Sequence, residues 1–304
     1  MTSAALHDLL TAGPAVELEA RGHDLSGTLW SARLLRDDPS AIRDVHATYF
    51  AVGARVGISA SYQASRSGFE RHGSTRDEAD RLLALSVALV REARDVAAGS
   101  GATHPMLVAA SVGPYGATLH DGSEYRGHYG VAHDALVAFH RERLDVLVAT
   151  EPDLLAIETI PDLDEAAAIL EALEGYDVPA WLSFSCADDA TTCAGQPIED
   201  AAALVAAAPT VEALGINCTK PEHVGGLVAR VRAAQPDLPV VLYPNAGRVW
   251  DGAASVWVGH GADRLARPAV VSWFEAGVPL VGGCCGLGPA AIADIAETAA
   301  ALRG

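Results

Sequence analysis

The stretch Val211-Glu212-Ala213-Leu214-Gly215-Ile216-Asn217-Cys218 is a short apolar run that ends in an amide and a thiol. A run of this length is typical of a buried β-strand. An amphipathic stretch from Pro221 to Ala234 follows it, and its proline stands in the first turn, where a helix tolerates proline well. The stretch therefore opens one strand-then-helix unit and places Cys218 at the carboxyl end of the strand.

The same unit recurs along almost the whole chain. Strand-like runs precede helix-like stretches at 55–60 and 77–98, at 106–110 and 131–149, at 154–157 and 162–173, at 180–184 and 198–207, at 239–243 and 262–276, and at 280–281 and 289–302. Together with 211–217, this makes seven visible units. The stretch Leu9-Leu10-Thr11-Ala12, with 42–53 as its helix, would supply an eighth.

Repeated units of this length predict a parallel sheet, and eight of them close most naturally into a (β/α)8 TIM barrel. An open doubly wound sheet is the alternative, although no Gly-x-Gly-x-x-Gly pattern follows the first strand. Neither a linker nor a low-complexity stretch divides the chain. We therefore expect a single α/β domain over residues 1–304.

Composition narrows the classes of function. The 304 residues are 50% hydrophobic and 20% charged, and the net charge is −18. This net negative charge argues against binding to nucleic acid or to anionic membrane surfaces, because both attract basic patches on a protein. The N-terminus has no signal-peptide pattern, and no window approaches the ~20 apolar residues of a membrane helix. With an odd number of cysteines, 5, and no export signal, we expect a cytoplasmic protein without a disulfide framework.

A second group of thiols follows the last predicted strand, in Gly282-Gly283-Cys284-Cys285-Gly286. In a barrel, Cys218, Cys284 and Cys285 would all lie at the carboxyl ends of strands, on one face. The glycines allow the backbone to leave the strand, so that neighbouring cysteines can face one point. Three thiolates suit Zn²⁺, which is normally four-coordinate, and they leave one position for substrate or water.

Other readings of the cysteines remain open. The three could be buried structural thiols, whereas a vicinal disulfide would need an oxidising compartment. A closed, non-catalytic zinc or thiol-sensing site would need a fourth ligand. Cys186 ends a predicted strand and could supply that ligand, but we expect it to be structural, and Cys193 is left unassigned.

Polar and aromatic residues occupy other predicted strand ends. Glu158 could hold a substrate ammonium group, or it could cap the helix that follows. Asn217 and Tyr243 could donate hydrogen bonds to a carboxylate or carbonyl, or they could brace loops. Tyr62 and Tyr115 could attract a positively charged group through their rings, or simply pack. These five residues are the candidate substrate-binding set.

Two irregular segments carry further expectations. The polar stretch 121–127 is long enough to act as a lid over the site. The glycine-rich stretch 245–261 predicts a long functional loop. The scattered histidines form no pattern typical of a hydrolase metal site, which argues against a metal that activates water.

The cysteine motifs carry a family resemblance. Gly-Ile-Asn-Cys at 215–218 with Gly-Gly-Cys-Cys-Gly at 282–286 resembles the homocysteine S-methyltransferase family, and more specifically its bacterial and plant members that use S-methylmethionine or S-adenosylmethionine. Further stretches that look like these enzymes stand at 17–22, 29–32, 60–64, 111–116, 121–127 and 243–245. The resemblance spans essentially the whole chain from Glu17.

The resemblance implies a zinc-dependent barrel enzyme that makes methionine. Cys218, Cys284 and Cys285 would hold Zn²⁺, and the homocysteine thiol would be the fourth ligand. The small-molecule partners would be homocysteine and a sulfonium methyl donor. Glu158 would correspond to the family's carboxylate near the homocysteine amine.

One position departs from the family pattern. The first strand usually ends in Asp-Gly, and its aspartate helps to receive the substrate amine, but the aligned position here is Thr11. Glu158 would then carry the amine alone, or Asp8 or Glu17 would substitute. Alternatively, homocysteine would bind more weakly, or the acceptor would be a different thiol or selenol.

Overall fold

The computed structural model describes residues 15–23, 25, 30–251, 256–259 and 261–303. Its strands are β1 Val56–Ile58, β2 Leu107–Val112, β3 Leu154–Ile160, β4 Ala180–Phe184, β5 Val211–Asn217, β6 Val240–Tyr243, β7 Val249–Asp251, β8 Val256–Val258 and β9 Leu280–Val281. Its helices are α1 Ala15–Ala20, α2 Leu34–Asp37, α3 Pro39–Ala51, α4 Arg66–Arg71, α5 Arg76–Gly99, α6 His133–Ala149, α7 Leu163–Ala172, α8 Ile198–Ala206, α9 Pro221–Ala234, α10 Arg267–Glu275 and α11 Pro289–Arg303.

Seven strands form one parallel sheet in the order β1-β2-β3-β4-β5-β6-β9. Every neighbouring pair is parallel, and the order follows the chain. A doubly wound sheet reverses its strand order at a switch point, and this sheet has no such reversal. The prediction of a parallel α/β fold is thus confirmed. The predicted first strand, Leu9–Ala12, lies outside the described residues, as does Thr11.

The sheet curls around an inner core. Alternate residues of its strands form an apolar cluster of their own, with Trp181 and Tyr243 as its largest members. The opposite face of the sheet packs against the helices in a separate and larger cluster. Because side chains alternate across a strand, the strands from β2 to β6 and β9 supply residues to both cores. The curled sheet and its outer helices have the layered construction of a barrel.

The predicted helices occur within a few residues of their expected bounds. Side-chain caps fix several starts: Thr75 accepts a hydrogen bond from the Glu78 N–H at the start of α5, and Asp162 accepts one from the Asp164 N–H at the start of α7. The described helices include none that is both long and apolar enough to cross a membrane.

The segment expected to be a long loop contains a short hairpin instead. Strands β7 and β8 pair antiparallel, separately from the main sheet. Valine and tryptophan recur at 249–250 and 256–258, and both residue types favour extended backbone. The segment 245–261, predicted to be a long functional loop, thus contains a hairpin of its own.

A close approach between β4 and β5 yields a stability prediction. A Cβ added to Gly215 would lie 1.7 Å from Ser183 Oγ and 2.9 Å from the Ser183 Cα, so the strands themselves must shift. Gly215→Ala should therefore lower the free energy of unfolding by about 1–3 kcal/mol or more, measured by urea denaturation.

Gly225 in α9 is the matched control, since a Cβ there meets nothing within 4 Å. Gly225→Ala should raise the free energy of unfolding by up to about 1 kcal/mol, because alanine is the better helix former. Equal stability of the two variants would contradict the close approach at Gly215.

Candidate metal centre and substrate cavity

Three cysteine sulfurs meet at the carboxyl end of the sheet. Cys218 Sγ lies 3.5 Å from Cys285 Sγ, and Cys284 Sγ lies 3.9 Å from Cys285 Sγ. All three sulfurs lie within 4.8 Å of one another. Tetrahedral ligation at a Zn–S distance of about 2.3 Å separates sulfurs by about 3.8 Å. The donor set therefore fits a metal ion with thiolate ligands.

Backbone hydrogen bonds from the segment after β6 hold these cysteines in place. The Cys218 N–H donates to the Tyr243 carbonyl at 3.1 Å, and the Cys284 N–H donates to the Pro244 carbonyl at 2.8 Å. Cys218 has a φ of +48°, a left-handed conformation that turns the chain out of β5. The Asn245 side-chain amide donates to the Cys218 carbonyl at 3.0 Å and so stabilises this turn.

The three thiols influence one another's ionisation. Hydrogen bonds from the Cys284 and Cys285 thiols lower the pKa of Cys218 well below its ordinary value. Their interaction with the Cys218 sulfur raises the pKa of both Cys284 and Cys285. One thiolate is thus stabilised by two protonated neighbours. A bound metal cation would allow all three to ionise, because a coordinating thiol is deprotonated outright.

A cavity above the sulfurs gathers most of the predicted site residues. Its lining includes the three cysteines together with Tyr62, Glu158 and Tyr243. The interpretation that these groups face one space is therefore supported by the structure.

Glu158 lies inside β3, and its side chain is only 9% exposed. Burial raises the pKa of its carboxyl to about 8, although a hydrogen bond from Ser111 Oγ partly opposes this. Helix α7 is capped by Asp162, so Glu158 does not serve as that cap. A cation entering the cavity would favour the charged carboxylate.

Asn217 braces the backbone beside Glu158 and does not line the cavity. Its Oδ1 accepts a hydrogen bond from the Thr159 N–H at 2.8 Å, and its Nδ2 donates to Thr159 Oγ1 at 2.7 Å. Thr159 has a φ of +62° and itself lines the cavity. The bracing role foreseen as the alternative for Asn217 is what these contacts show.

Tyr115 does not line the cavity. Its ring packs against Phe139 and Tyr129, with centroids 5.1 Å and 5.5 Å away. Its backbone N–H donates to Glu165 Oε1 at 2.5 Å. The chain turns outward after β2 in a short 3-10 helix over Tyr115–Thr118, and this turn directs the ring towards α6. The expectation that Tyr115 contacts substrate is thus not supported by its position.

Tyr125 was missed by the sequence reasoning, which named only the lid segment that contains it. Its hydroxyl lies 3.2 Å from Cys218 Sγ, and its ring lines the cavity. It belongs to a 3-10 turn over Ser123–Tyr125, so the predicted lid does cover the site. The segment could be recognised from the sequence, but the direction of this one side chain could not.

Cys186 and Cys193 are separate from the three clustered thiols. Among the described residues, the group of metal-ligand side chains contains only the cysteines at 218, 284 and 285. Cys186 is buried, burial raises the pKa of its thiol, and its N–H donates to Thr219 Oγ1. The position of Cys186 agrees with the expected structural role.

The fold and the site together define a class of protein. It is a barrel-like α/β protein in which three cysteines that could hold a metal ion line a cavity. A family model described as "Homocysteine S-methyltransferase" matches residues 9–299. The chain belongs to the homocysteine S-methyltransferase family.

Individual relatives agree with this assignment. The chain is 44% identical to homocysteine S-methyltransferase 4 of Zea mays, covering 94% of this chain and 87% of the relative. It is 43% identical to the homocysteine S-methyltransferase of Escherichia coli (strain K12), covering 94% and 93%. The structure resembles the metallated form of the homocysteine methyltransferase MmuM from Escherichia coli, with a TM-score of 0.85, 40% identity and 95% of each chain covered.

Glu124, in the lid segment, is a buried carboxyl group whose burial can be tested through the pH dependence of stability. Its side chain is 7% exposed and its Oε2 has no hydrogen-bond partner in the described part of the chain. Burial raises the pKa of Glu124 to about 7. The folded state therefore binds this proton more tightly than the unfolded state, and stability is lost as the pH rises from the ordinary carboxyl range through about 7.

Glu124→Gln removes this titration while keeping the size of the side chain. Relative to the wild type, the variant should gain up to about 3 kcal/mol of unfolding free energy between pH 4.5 and 7.5, measured by denaturant unfolding. The exposed Glu70 is the control, and Glu70→Gln should show no such trend. A pH-independent difference for Glu124→Gln would refute the burial argument.

Proposed function

We propose that this protein transfers a methyl group from a sulfonium donor, S-methylmethionine or S-adenosylmethionine, to the thiol of homocysteine, giving methionine. The observation that carries the proposal is the cluster of three cysteine sulfurs in a cavity that also contains the carboxyl group of Glu158. The relatives named above as homocysteine methyltransferases support the choice of acceptor.

The resident metal in this proposal is Zn²⁺, held by Cys218, Cys284 and Cys285. The sulfur spacing and the all-thiol donor set support zinc. When bound, the metal would lower the pKa of the homocysteine thiol. A free thiol has a pKa of ~8.5 and is mostly protonated at neutral pH.

The protein's own residues would bind the two substrates and exclude water. The Glu158 carboxyl, whose pKa is about 8 in the cavity, becomes the charged partner of the homocysteine ammonium. The rings of Tyr62 and Tyr125 would face the donor cation, since aromatic rings attract positive charge. Attack of a thiolate on a sulfonium methyl turns an anion and a cation into two neutral sulfides. A cavity closed to water favours this loss of charge.

The remaining expectations are part of the same proposal. We infer an eighth strand at Leu9–Ala12, which would close the sheet between its two edge strands, β9 and β1. The proposal also includes a single domain over 1–304, a cytoplasmic location and Glu158 as the main partner of the amine in place of a carboxylate at Thr11.

The test is methionine formation by zinc-loaded protein that is given homocysteine and, in separate reactions, each sulfonium donor. Methionine should form with at least one donor. Cys284→Ala should reduce the rate by a factor on the order of 10³ or more and lower the zinc content, because two thiolates hold the metal poorly. The ratio of the two rates identifies the preferred donor.

Cys186→Ser is the matched control, because Cys186 lies outside the metal-ligand group. It should retain both zinc and activity. Stoichiometric zinc without methionine from either donor would overturn the choice of acceptor, and other thiols and selenols would then be screened. Zinc binding that survives in Cys284→Ala would overturn the assignment of ligands.

A further inference from the structure

A second group of buried polar side chains lies outside the cavity, between helices α6 and α7 and the loops that cover the site. It consists of Tyr115, Tyr129, His140, Arg143 and Glu165, and we call it the loop-anchoring cluster. His140, Arg143 and Glu165 are each no more than 1% exposed. The mechanism described above uses none of these five residues.

Glu165 is the acceptor at the centre of this cluster. Its Oε1 accepts hydrogen bonds from the Tyr115 N–H at 2.5 Å and from His140 Nε2 at 3.0 Å. Its Oε2 accepts one from the Tyr129 hydroxyl at 2.9 Å. A buried carboxylate with several donors is a strong attachment point, since hydrogen bonds to a charged group exceed neutral ones. Glu165 thereby fastens residues 115 and 129, on either side of the lid segment, to helix α7.

Arg143 binds the neighbouring loop through backbone carbonyls. Its Nη1 donates to the Gly113 carbonyl at 2.9 Å, and its Nη2 donates to the Tyr62 carbonyl at 3.0 Å and the Ser61 carbonyl at 3.3 Å. Burial lowers the pKa of Arg143 to about 10, and the Glu165 carboxylate counteracts that shift. A fully buried charge is costly unless it is compensated, and here two loops supply the compensation.

The anchored loops carry the two tyrosines that flank the sulfurs. Tyr62 lines the cavity directly, and the Tyr125 hydroxyl lies 3.2 Å from Cys218 Sγ. The loops also touch each other, because a Cβ on Gly113 would lie only 2.5 Å from the Tyr62 carbonyl oxygen. A shift of either anchor would therefore move aromatic rings over the site, whereas Glu158 is carried by strand β3.

We propose that Glu165 and Arg143 are positioning residues that set Tyr62 and Tyr125 for the methyl donor. The inference rests on the proposed function. In it, the loops contact the methyl donor, and the sheet, through Glu158, contacts homocysteine. Loss of an anchor should therefore weaken use of the donor more than binding of homocysteine.

The experiment compares two carboxylates of α7 that each contact a histidine of α6. Glu165 contacts buried His140, whereas exposed Glu171 contacts exposed His133 Nε2 at 2.9 Å. In zinc-loaded Glu165→Gln, the KM for the donor should rise on the order of tenfold, because small misplacements of site groups have large kinetic effects. The KM for homocysteine should stay unchanged, and Glu171→Gln should match the wild type in both constants.

Tyr129→Phe removes one hydroxyl from the cluster and provides a milder variant if Glu165→Gln folds poorly. It should raise the donor KM in the same direction, with the zinc content intact. Unchanged kinetic constants in folded Glu165→Gln and Tyr129→Phe, with only a lower melting temperature, would reduce the cluster to a structural role and overturn the proposal. An equal rise in the KM for the donor and the KM for homocysteine would overturn the assignment of the donor to the loops and of homocysteine to the sheet.

Hydrogen exchange, followed by mass spectrometry, separates this proposal from the proposed function. Amides of 113–129 should exchange faster in Glu165→Gln than in Glu171→Gln, while those of β3 and β5 stay the same. This comparison holds whether or not the wild type methylates homocysteine. Unchanged exchange over 113–129 would overturn the anchoring role even in an active enzyme.

Discussion

The carbonyl groups of Tyr243 and Pro244 hold the site together. They accept the N–H groups of Cys218 and Cys284, which come from two motifs more than sixty residues apart in sequence. Together with the Asn245 amide, these two hydrogen bonds stabilise the left-handed turn at Cys218 and hold the two cysteine motifs against each other. Proline at 244 suits this role, since it has no N–H of its own and its φ is fixed. The arrangement of the three cysteines therefore depends on the end of β6 and the residue that follows it.

That arrangement depends in turn on strand order. Strand β6 pairs with β5 on one side and β9 on the other, so the segment after β6 lies between the two cysteine motifs. A parallel sheet in sequential order brings all three carboxyl ends to the same edge. The inner core formed by alternate side chains, including Trp181 beneath Tyr243, gives this edge a rigid base. Fold and site are thus linked through strand adjacency.

The sequence predicted those parts of the site that follow from strand ends alone. Glu158 lies inside β3, Cys218 directly follows β5, and the two other cysteines follow β9 after two glycines. Parallel strands bring such positions to one edge of the sheet. The directions of Asn217, Tyr115 and Tyr125 depended on contacts between elements that are distant in sequence, which no local pattern encodes. Asn217 turns to the Thr159 backbone, Tyr115 follows an outward 3-10 turn, and Tyr125 returns over Cys218. Helices and strands were predictable because periodicity is local, whereas the placement of these side chains is tertiary.

The charges in the cavity explain which substrates suit it. The described residues that line it include thiols, a carboxyl group and tyrosines, but neither lysine nor arginine. Burial already raises the pKa of Glu158 to about 8, so the cavity resists further negative charge. Three thiolates on a divalent metal would leave one net negative charge, and a substrate thiolate would add another. An ammonium group beside Glu158 and a sulfonium beside the tyrosines would offset that excess, whereas an anionic donor would increase it. The same electrostatics that favour a metal cation therefore favour a cationic methyl donor.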